Sequence, residues 1–309
     1  MASGGRRRAR WTTLAAGVLA LALATAGCAT ADDAGSSRLT AATRSARATS
    51  PVTKLVVVMV ENHSLAQMRS GMPWTFRQAK RFGYATDYHA IRHPSLPNYL
   101  AIAGGSTFGV TDDQPPADHP VSGRSVFGQA LAAGRTATVY AEGMPGRCSP
   151  VDGGHRYAVR HNPWTYFVDE RRGCRHHDRP MSSLAADAAA GDLPNAGMVV
   201  PNTCHDAHDC GLAVADRWMK HTLRTLRSGP DWSQGRLAIV VTADEDDRHS
   251  GNRVLTVVLH PGVRHVVVKD RLTHYSLTRL YDEVLGTPYL RKARHAPSMA
   301  TAFGLTVGG

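Results

Sequence analysis

The chain contains no dense basic run interleaved with aromatic residues, so it lacks the charge and stacking footprint of a nucleic-acid binder. It shows no internal repeat and no second linker after residue 52, which leaves one large domain as the expectation rather than two small ones. Lysine is scarce: 5 of the 36 basic residues are Lys, and arginine carries the rest of a formal charge of +11. The amino terminus lacks acidic residues before Asp32, and it also lacks the length for a membrane span. Its apolar run from Trp11 to Ala26 is roughly 15 residues, against the ~20 that a helical span needs.

What precedes that run decides its reading. Arg6, Arg7, Arg8 and Arg10 form the basic n-region of a secretory signal, and the apolar stretch is its h-region. The run closes on "LATAGCAT", where small residues directly before Cys28 resemble a bacterial lipoprotein cleavage box, with Thr25 where Leu is usual. Residues 1–27 are then a signal peptide, Cys28 a lipidation site, 28–52 a flexible tether rich in Ala, Ser and Thr, and 53–309 a single domain. The protein is expected to be secreted or held at the outer face of the cell membrane. Without the leader, 32 basic residues face 25 acidic ones, a formal +7 for residues 28–309. That surplus favours anionic partners such as phosphorylated substrates, acidic lipid or wall polymers, although compositional bias toward Arg and Ala gives the same number.

Export changes the meaning of the cysteines. With Cys28 set aside, Cys148, Cys174, Cys204 and Cys210 remain, and an even count outside the cytoplasm favours disulfides over thiolate ligands. Local pairing gives Cys148–Cys174 and Cys204–Cys210; two other connectivities stay open, as does a zinc site built on the thiolates of "NTCHDAHDC" (202–210). Each bridge is worth roughly 2–4 kcal/mol, with the short loop at the low end.

Apolar β-branched runs at 54–62, 136–142, 196–202, 236–246 and 253–262 read as buried strands. Helical patterns lie between them, as in "LPNYLAIAGG", "SVFGQALAAG", "GLAVADRWMKHTLRTLRSG" and "SLTRLYDEVLG", and several end at Gly. The alternation predicts an α/β three-layer sandwich with a largely parallel central sheet. Glu61-Asn62, Glu142, Asn202 and Asp244-Glu245-Asp246 all fall at C-terminal ends of strands, the edge where such sheets bind ligands.

Four stretches carry chemistry. Glu61, Asn62, Asp244 and Glu245 are hard oxygen donors suited to a divalent cation. Ser95 opens a predicted helix; taken alone it is most simply an N-cap, and the same position also suits a nucleophile, since helix N-terminal amides and the dipole help bind the phosphate it attacks. "NTCHDAHDC" adds His205, Asp206, His208 and Asp209. A solvated acidic turn is the plainer reading of "TADEDD".

In order, Glu-Asn, Ser-x-Pro-Asn, Asn-x-Cys-x-Asp-x-His-Asp and Asp-Glu resemble the bacterial phosphoesterase family of the alkaline phosphatase superfamily, which holds acid phosphatases and phospholipases C. "YAVRHNPWTYF" (157–167) and "HYSLTRLYDEVLG" (274–286) extend the resemblance over about residues 54–290. It implies that Ser95 is the nucleophile that becomes phosphorylated and that Glu61, Asn62, Asp244 and Glu245 bind a divalent metal of unknown identity. It further implies that Asn98, His161 and Asp206 hold the phosphate, and that His208 and Asp209 act with His205 as an acid for the leaving group. Departures are His63 where family members often carry Arg, and Asp246-Asp247-Arg248 where His or Gly often follows Asp-Glu. The compact chain is most similar to the small secreted acid phosphatases, some of which act on phosphoinositides such as phosphatidylinositol 3-phosphate. The alternatives are a phospholipase C-type phosphodiesterase and a catalytically inactive surface binding protein.

Overall fold

A computed structural model describes residues 50–308; the signal peptide, most of the tether and Cys28 lie outside the described residues. The strands are β1 (Lys54–Val60), β2 (Gly83–Ala85), β3 (Tyr88–His89), β4 (Ala137–Ala141), β5 (Asp178–Pro180), β6 (Ala196–Val200), β7 (Leu237–Ala243), β8 (Thr256–Leu259), β9 (Val266–Val268) and β10 (Leu272–Thr273). The α-helices are α1 (Leu65–Gly71), α2 (Pro73–Arg81), α3 (Ser95–Gly104), α4 (Val126–Ala132), α5 (Arg171–His177), α6 (Leu184–Ala190), α7 (Leu212–Leu226), α8 (Pro230–Ser233), α9 (His274–Leu285) and α10 (Met299–Phe303).

Eight strands form one sheet in the order β5-β4-β6-β1-β7-β8-β2-β9, and β3 pairs with β10 apart from it. All pairings in the large sheet are parallel except those of β8, which runs against both β7 and β2. Every residue of β4, β6, β7 and β8 is buried, as is all of β1 after Lys54. Strands buried on both faces need cover on both sides, and continuous Val/Ile/Ala runs supply apolar side chains to each. Helices α3, α4 and α9 pack together, with α9 against β1 and α4 against β4 and β6; α1, α2, α6 and α7 form a second group. This is the α/β architecture with a mostly parallel sheet that the strand–helix alternation predicts.

The central strands begin and end within a few residues of their predicted limits. The short strands β2, β5 and β9 were not anticipated, since three residues carry no readable period. Helix α3 stops at Gly105, left-handed at φ 67°, where a Cβ would stand 2.4 Å from the Leu290 carbonyl oxygen.

Candidate active site

The C-terminal ends of β1, β7 and β6 meet at one point, and their backbones are laced together. Asp244 N donates to Val60 O at 3.1 Å, and Glu61 N donates to Asp206 O at 2.8 Å. Asn62 N donates to the Asp244 carboxylate at 3.2 Å. Glu61 and Asp244, directly after β1 and β7, are fully buried, and so is Asp206, brought in by the loop that follows β6.

Ser95 is not an N-cap. Pro94 holds that position, and Ser95 is the first residue of α3. Its hydroxyl donates to Glu61 Oε2 at 3.3 Å, so it faces the carboxylates rather than its own helix amides. Tyr99 follows four residues later on the same helix face and donates its hydroxyl to Glu61 Oε1. Asn98 does something other than expected. Its Oδ1 accepts from Ile91 N and Arg92 N, and its Nδ2 donates to Arg92 O, Pro94 O and Glu245 Oε2. Both ends of the amide are thus committed to holding the 91–94 loop and are not presented to a phosphate. Glu245 is also approached by His93 Nδ1 at 3.1 Å, while His93 Nε2 lies 3.1 Å from Asp246.

His161 ends a 3₁₀ turn (Val159–His161) and stacks on Tyr99, ring centroids 5.2 Å apart. Its Nε2 lies 3.4 Å from Glu61 Oε2 and its Nδ1 3.3 Å from Asp206 Oδ2, yet neither approach has hydrogen-bond geometry. Asn62 Oδ1, Asp206 Oδ2 and Asp244 Oδ2 are likewise buried without a partner. Each orphaned group costs about 1–3 kcal/mol. Burial, together with Asp244 and Asp206, pushes Glu61 well above the usual carboxylate range. Burial lifts Asp206 to about 7 and, with Asp244 beside it, Glu245 to about 9; it presses His161 down to about 3. A divalent cation fits this donor set, because it would occupy the unpartnered oxygens and favour the ionised carboxylates. Donor atoms of Glu61, His161 and Asp206 all lie within 4.8 Å of one another, so the geometry groups His161 and Asp206 with the metal candidates rather than with phosphate ligands.

The His-Asp loop is closed by the Cys204–Cys210 disulfide, and a second disulfide joins Cys148 to Cys174. With both sulfurs bridged, a thiolate zinc site is ruled out in this state. Asn202 shapes the loop: its side chain accepts from Cys204 N and His205 N, and its carbonyl accepts from His205 N and Asp206 N. Ala207 then takes φ 82°, and the chain reverses. The two histidines consequently part company. His208 lines the cavity that holds Ser95, with its Nδ1 2.8 Å from Asp209 Oδ1. His205 turns to Glu142, 2.9 Å away, and stacks on Trp218; it lines no part of the Ser95 cavity. His205 is therefore not placed as an acid for a leaving group. Asp209 stands outside that cavity too, accepting from Thr203 and Arg156 while it orients His208; those hydrogen bonds from Thr203 and His208 hold its pKa below the usual range.

The cavity has a volume of about 340 Å³ and is lined by Asn62, Pro94, Ser95, Asp113, His208, Glu245, Asp246, Asp247 and Arg248. A larger cavity of about 470 Å³ lies beside β4, but it holds none of the convergent buried charges, so the smaller one is the candidate site. His93, Tyr99, Asp113 and Arg160, whose guanidinium lies 3.4 Å from His208 Nε2 and 4.0 Å from Asp113 Oδ2, were not anticipated from the sequence. Tyr99 had a signal, its i+4 spacing from Ser95; Asp113, which accepts from Leu96 N at 2.9 Å, arrives from a loop and had none.

Residues 68–288 match the model of the Phosphoesterase family, and the chain belongs to that family. It is 30% identical over 253 residues to the phosphatidylinositol-3-phosphatase of Mycobacterium tuberculosis, covering 81% of this chain and 82% of that one. It is 29% identical over 303 residues to the phosphate-repressible acid phosphatase of Penicillium chrysogenum, covering 90% of this chain and 72% of the relative. Among solved structures, an alkaline phosphatase superfamily protein from Vibrio parahaemolyticus superposes with TM-score 0.57 at 10% identity, over 82% of this chain and 72% of that one. The phosphonate monoester hydrolase of Silicibacter pomeroyi gives 0.52 at 11%, over 82% and 77%. At such identities these likenesses concern the fold alone.

Proposed function

We propose that this member of the phosphoesterase family is an exported phosphomonoesterase working through a phosphoserine at Ser95. The observation that carries the reading is the Ser95 hydroxyl, at the amino end of α3, hydrogen-bonded to Glu61 among buried oxygens that lack partners. Ser95 Oγ attacks phosphorus, its proton leaves toward Glu61 Oε2, and the ester oxygen departs as the alcohol on the far side. Glu61 is placed to take that proton because its Oε2 already accepts the Ser95 hydroxyl, and the ionised form that a bound cation would favour is the form that can receive one. Water then attacks the phosphoserine, inorganic phosphate leaves, and Ser95 recovers its proton. His208 faces the cavity with its Nδ1 anchored by Asp209, and its Nε2, which accepts a long hydrogen bond from Arg160 Nη2 at 3.4 Å, would exchange a proton with leaving group or water once that contact gives way. Glu61, Asn62 and Asp244, with Asp206 and His161, would hold a divalent cation, which would neutralise phosphate charge and lower the serine pKa; Glu245, expected in that set, has its Oε2 turned to Asn98 and His93 and is left out of it.

The substrate class follows from the relatives' names: phosphomonoesters, with phosphatidylinositol 3-phosphate among those to try. Export, a single catalytic domain over 53–309 and acylation at Cys28 belong to the same proposal; two disulfides support an oxidising compartment. A panel of phosphomonoesters and phospholipids, assayed with and without chelator, tests it. Wild type should release phosphate, and Ser95→Ala should not. Unchanged turnover in Ser95→Ala would remove Ser95 as nucleophile, and diacylglycerol as product would make the protein a phospholipase C.

A further inference from the structure

At the sheet edge opposite the catalytic cleft, cations gather that form no salt bridge among the described residues. Phe82, directly before β2, and Trp232, before β7, meet edge to face with ring centroids 5.7 Å apart. Strand β2 is antiparallel to β8, which is antiparallel to β7, so both rings sit at strand beginnings, where the catalytic residues sit at strand ends. Three guanidinium groups lie on Phe82: Arg81 at 5.4 Å, Arg227 at 5.4 Å and Arg264 at 5.3 Å from the ring centroid. Arg227 also lies 5.2 Å from the Trp232 centroid.

Helix ends account for part of this. Arg81 is the last residue of α2 and Arg227 caps α7, where the partial negative charge of a helix C-terminus favours cations. They do not account for Arg264, which comes from the β8–β9 loop, nor for the missing acids. The three segments that meet here, 76–86, 217–231 and 260–268, contain one acidic residue, Asp231. It is buried, and its two oxygens are taken by Lys54 at 2.8 Å and Arg236 at 2.7 Å. Among the described residues, Lys80, Arg81, Arg224, Arg227 and Arg264 form no salt bridge; Arg227 is half-buried and has Gln78 Oε1 as a side-chain partner. Crowded guanidinium groups repel unless an outside anion neutralises them.

The same edge receives the chain. Val52 pairs with Val307 and leads into β1 at Lys54, so residues 28–49, with Cys28 at their head, join the described fold on this side. We propose that this edge is a docking surface for an anionic lipid bilayer. The charge argument stands without acylation of Cys28; an acyl chain there adds the second signal that stable attachment needs. Docking of this kind orients the enzyme. Seven residues of β1 separate the two edges, about 23 Å at 3.3 Å per residue, so the Ser95 cavity opens away from the bilayer that holds the protein. Given the phosphatase reading, esters dissolved in the surrounding water reach it more readily than lipids of that bilayer.

Cosedimentation of the full chain with phosphatidylcholine vesicles, with and without phosphatidylglycerol, tests this. Binding should require the anionic lipid and weaken with salt. Each arginine near such a surface contributes about fivefold, so Arg81→Gln/Arg227→Gln/Arg264→Gln should lose up to about a hundredfold in partitioning. Because Arg227 also packs on two rings, the double variant Arg81→Gln/Arg264→Gln serves as the folding control: unchanged circular dichroism and turnover of a soluble chromogenic ester, with about a 25-fold loss in binding. Equal binding to neutral and anionic vesicles, indifference to both variants, or capture of tripolyphosphate without vesicles would overturn the bilayer. Faster hydrolysis of a phosphoinositide in the same vesicle on adding phosphatidylglycerol, reversed in the double variant, would overturn the orientation. Absence of any hydrolysis with charge-dependent binding intact would sink the phosphatase reading and support the surface.

Discussion

Asp178 should make this protein lose stability as pH rises through neutrality. The residue opens β5 and is fully buried. Its Oδ2 accepts from Asn162 Nδ2 at 2.8 Å and Cys148 N at 3.0 Å, while its Oδ1 has no partner. Burial raises its pKa to about 7, outweighing the lowering by those two donors. A carboxyl raised in the folded state binds its proton more tightly there than in the unfolded chain, where about 3.9 applies. Its contribution to stability is therefore fully present below about pH 4 and is lost as pH climbs through about 7. The gap of about three units corresponds to roughly 4 kcal/mol.

Asp178→Asn removes the titration and keeps an oxygen for the two donors, but it sets an amide group where Oδ1 now lacks a partner, at about 1–3 kcal/mol. The variant should be the less stable protein near pH 4 and should gain on wild type by roughly 4 kcal/mol toward pH 8, crossing it between. Urea midpoints at several pH values, with disulfides intact, measure the difference directly. A stability difference that does not change between pH 4 and 8 would refute the burial argument, because it would mean that Asp178 is ionised in the fold at all these values. The stake is functional as well, since Asn162 follows His161 and Asp178 helps hold the turn on which His161 sits.

Tyr99→Phe should fold, lose about 1–3 kcal/mol by stranding Glu61 Oε1, and lower kcat more than KM in steady-state assays. His205→Gln should keep most turnover, because His205 faces Glu142 and Trp218 rather than Ser95, whereas His208→Gln should lose at least tenfold. Replacing Cys204 and Cys210 by Ser should impair turnover at temperatures where circular dichroism still reports a folded protein; full activity would refute the loop as a clamp on His208. A metal titration followed by thermal melting should raise Tm in wild type and do so less in Asp206→Asn.

How far the sequence carried follows from what each residue's setting depends on. Glu61, Asn62, Asp244 and Glu245 were readable as one edge, because a parallel sheet forces strand ends together and the strands were plain from their Val and Ile runs. Ser95 at the start of α3 was readable from the helical pattern that follows it. The direction of each side chain in "NTCHDAHDC" was not, because it turns on Ala207 taking a positive φ, which no side chain there announces. Spacing treats His205 and His208 alike, and one reversed residue sends them to opposite sides of the loop. Asn98 misled in a related way: an amide beside the nucleophile invites a ligand role, and only the course of residues 91–94 shows both its ends occupied. The arginines on Phe82 pose the reverse case. They come from three segments more than 30 residues apart and follow no motif, so composition registers them as surplus charge; only the topology, by bringing strand beginnings together, turns that surplus into a face.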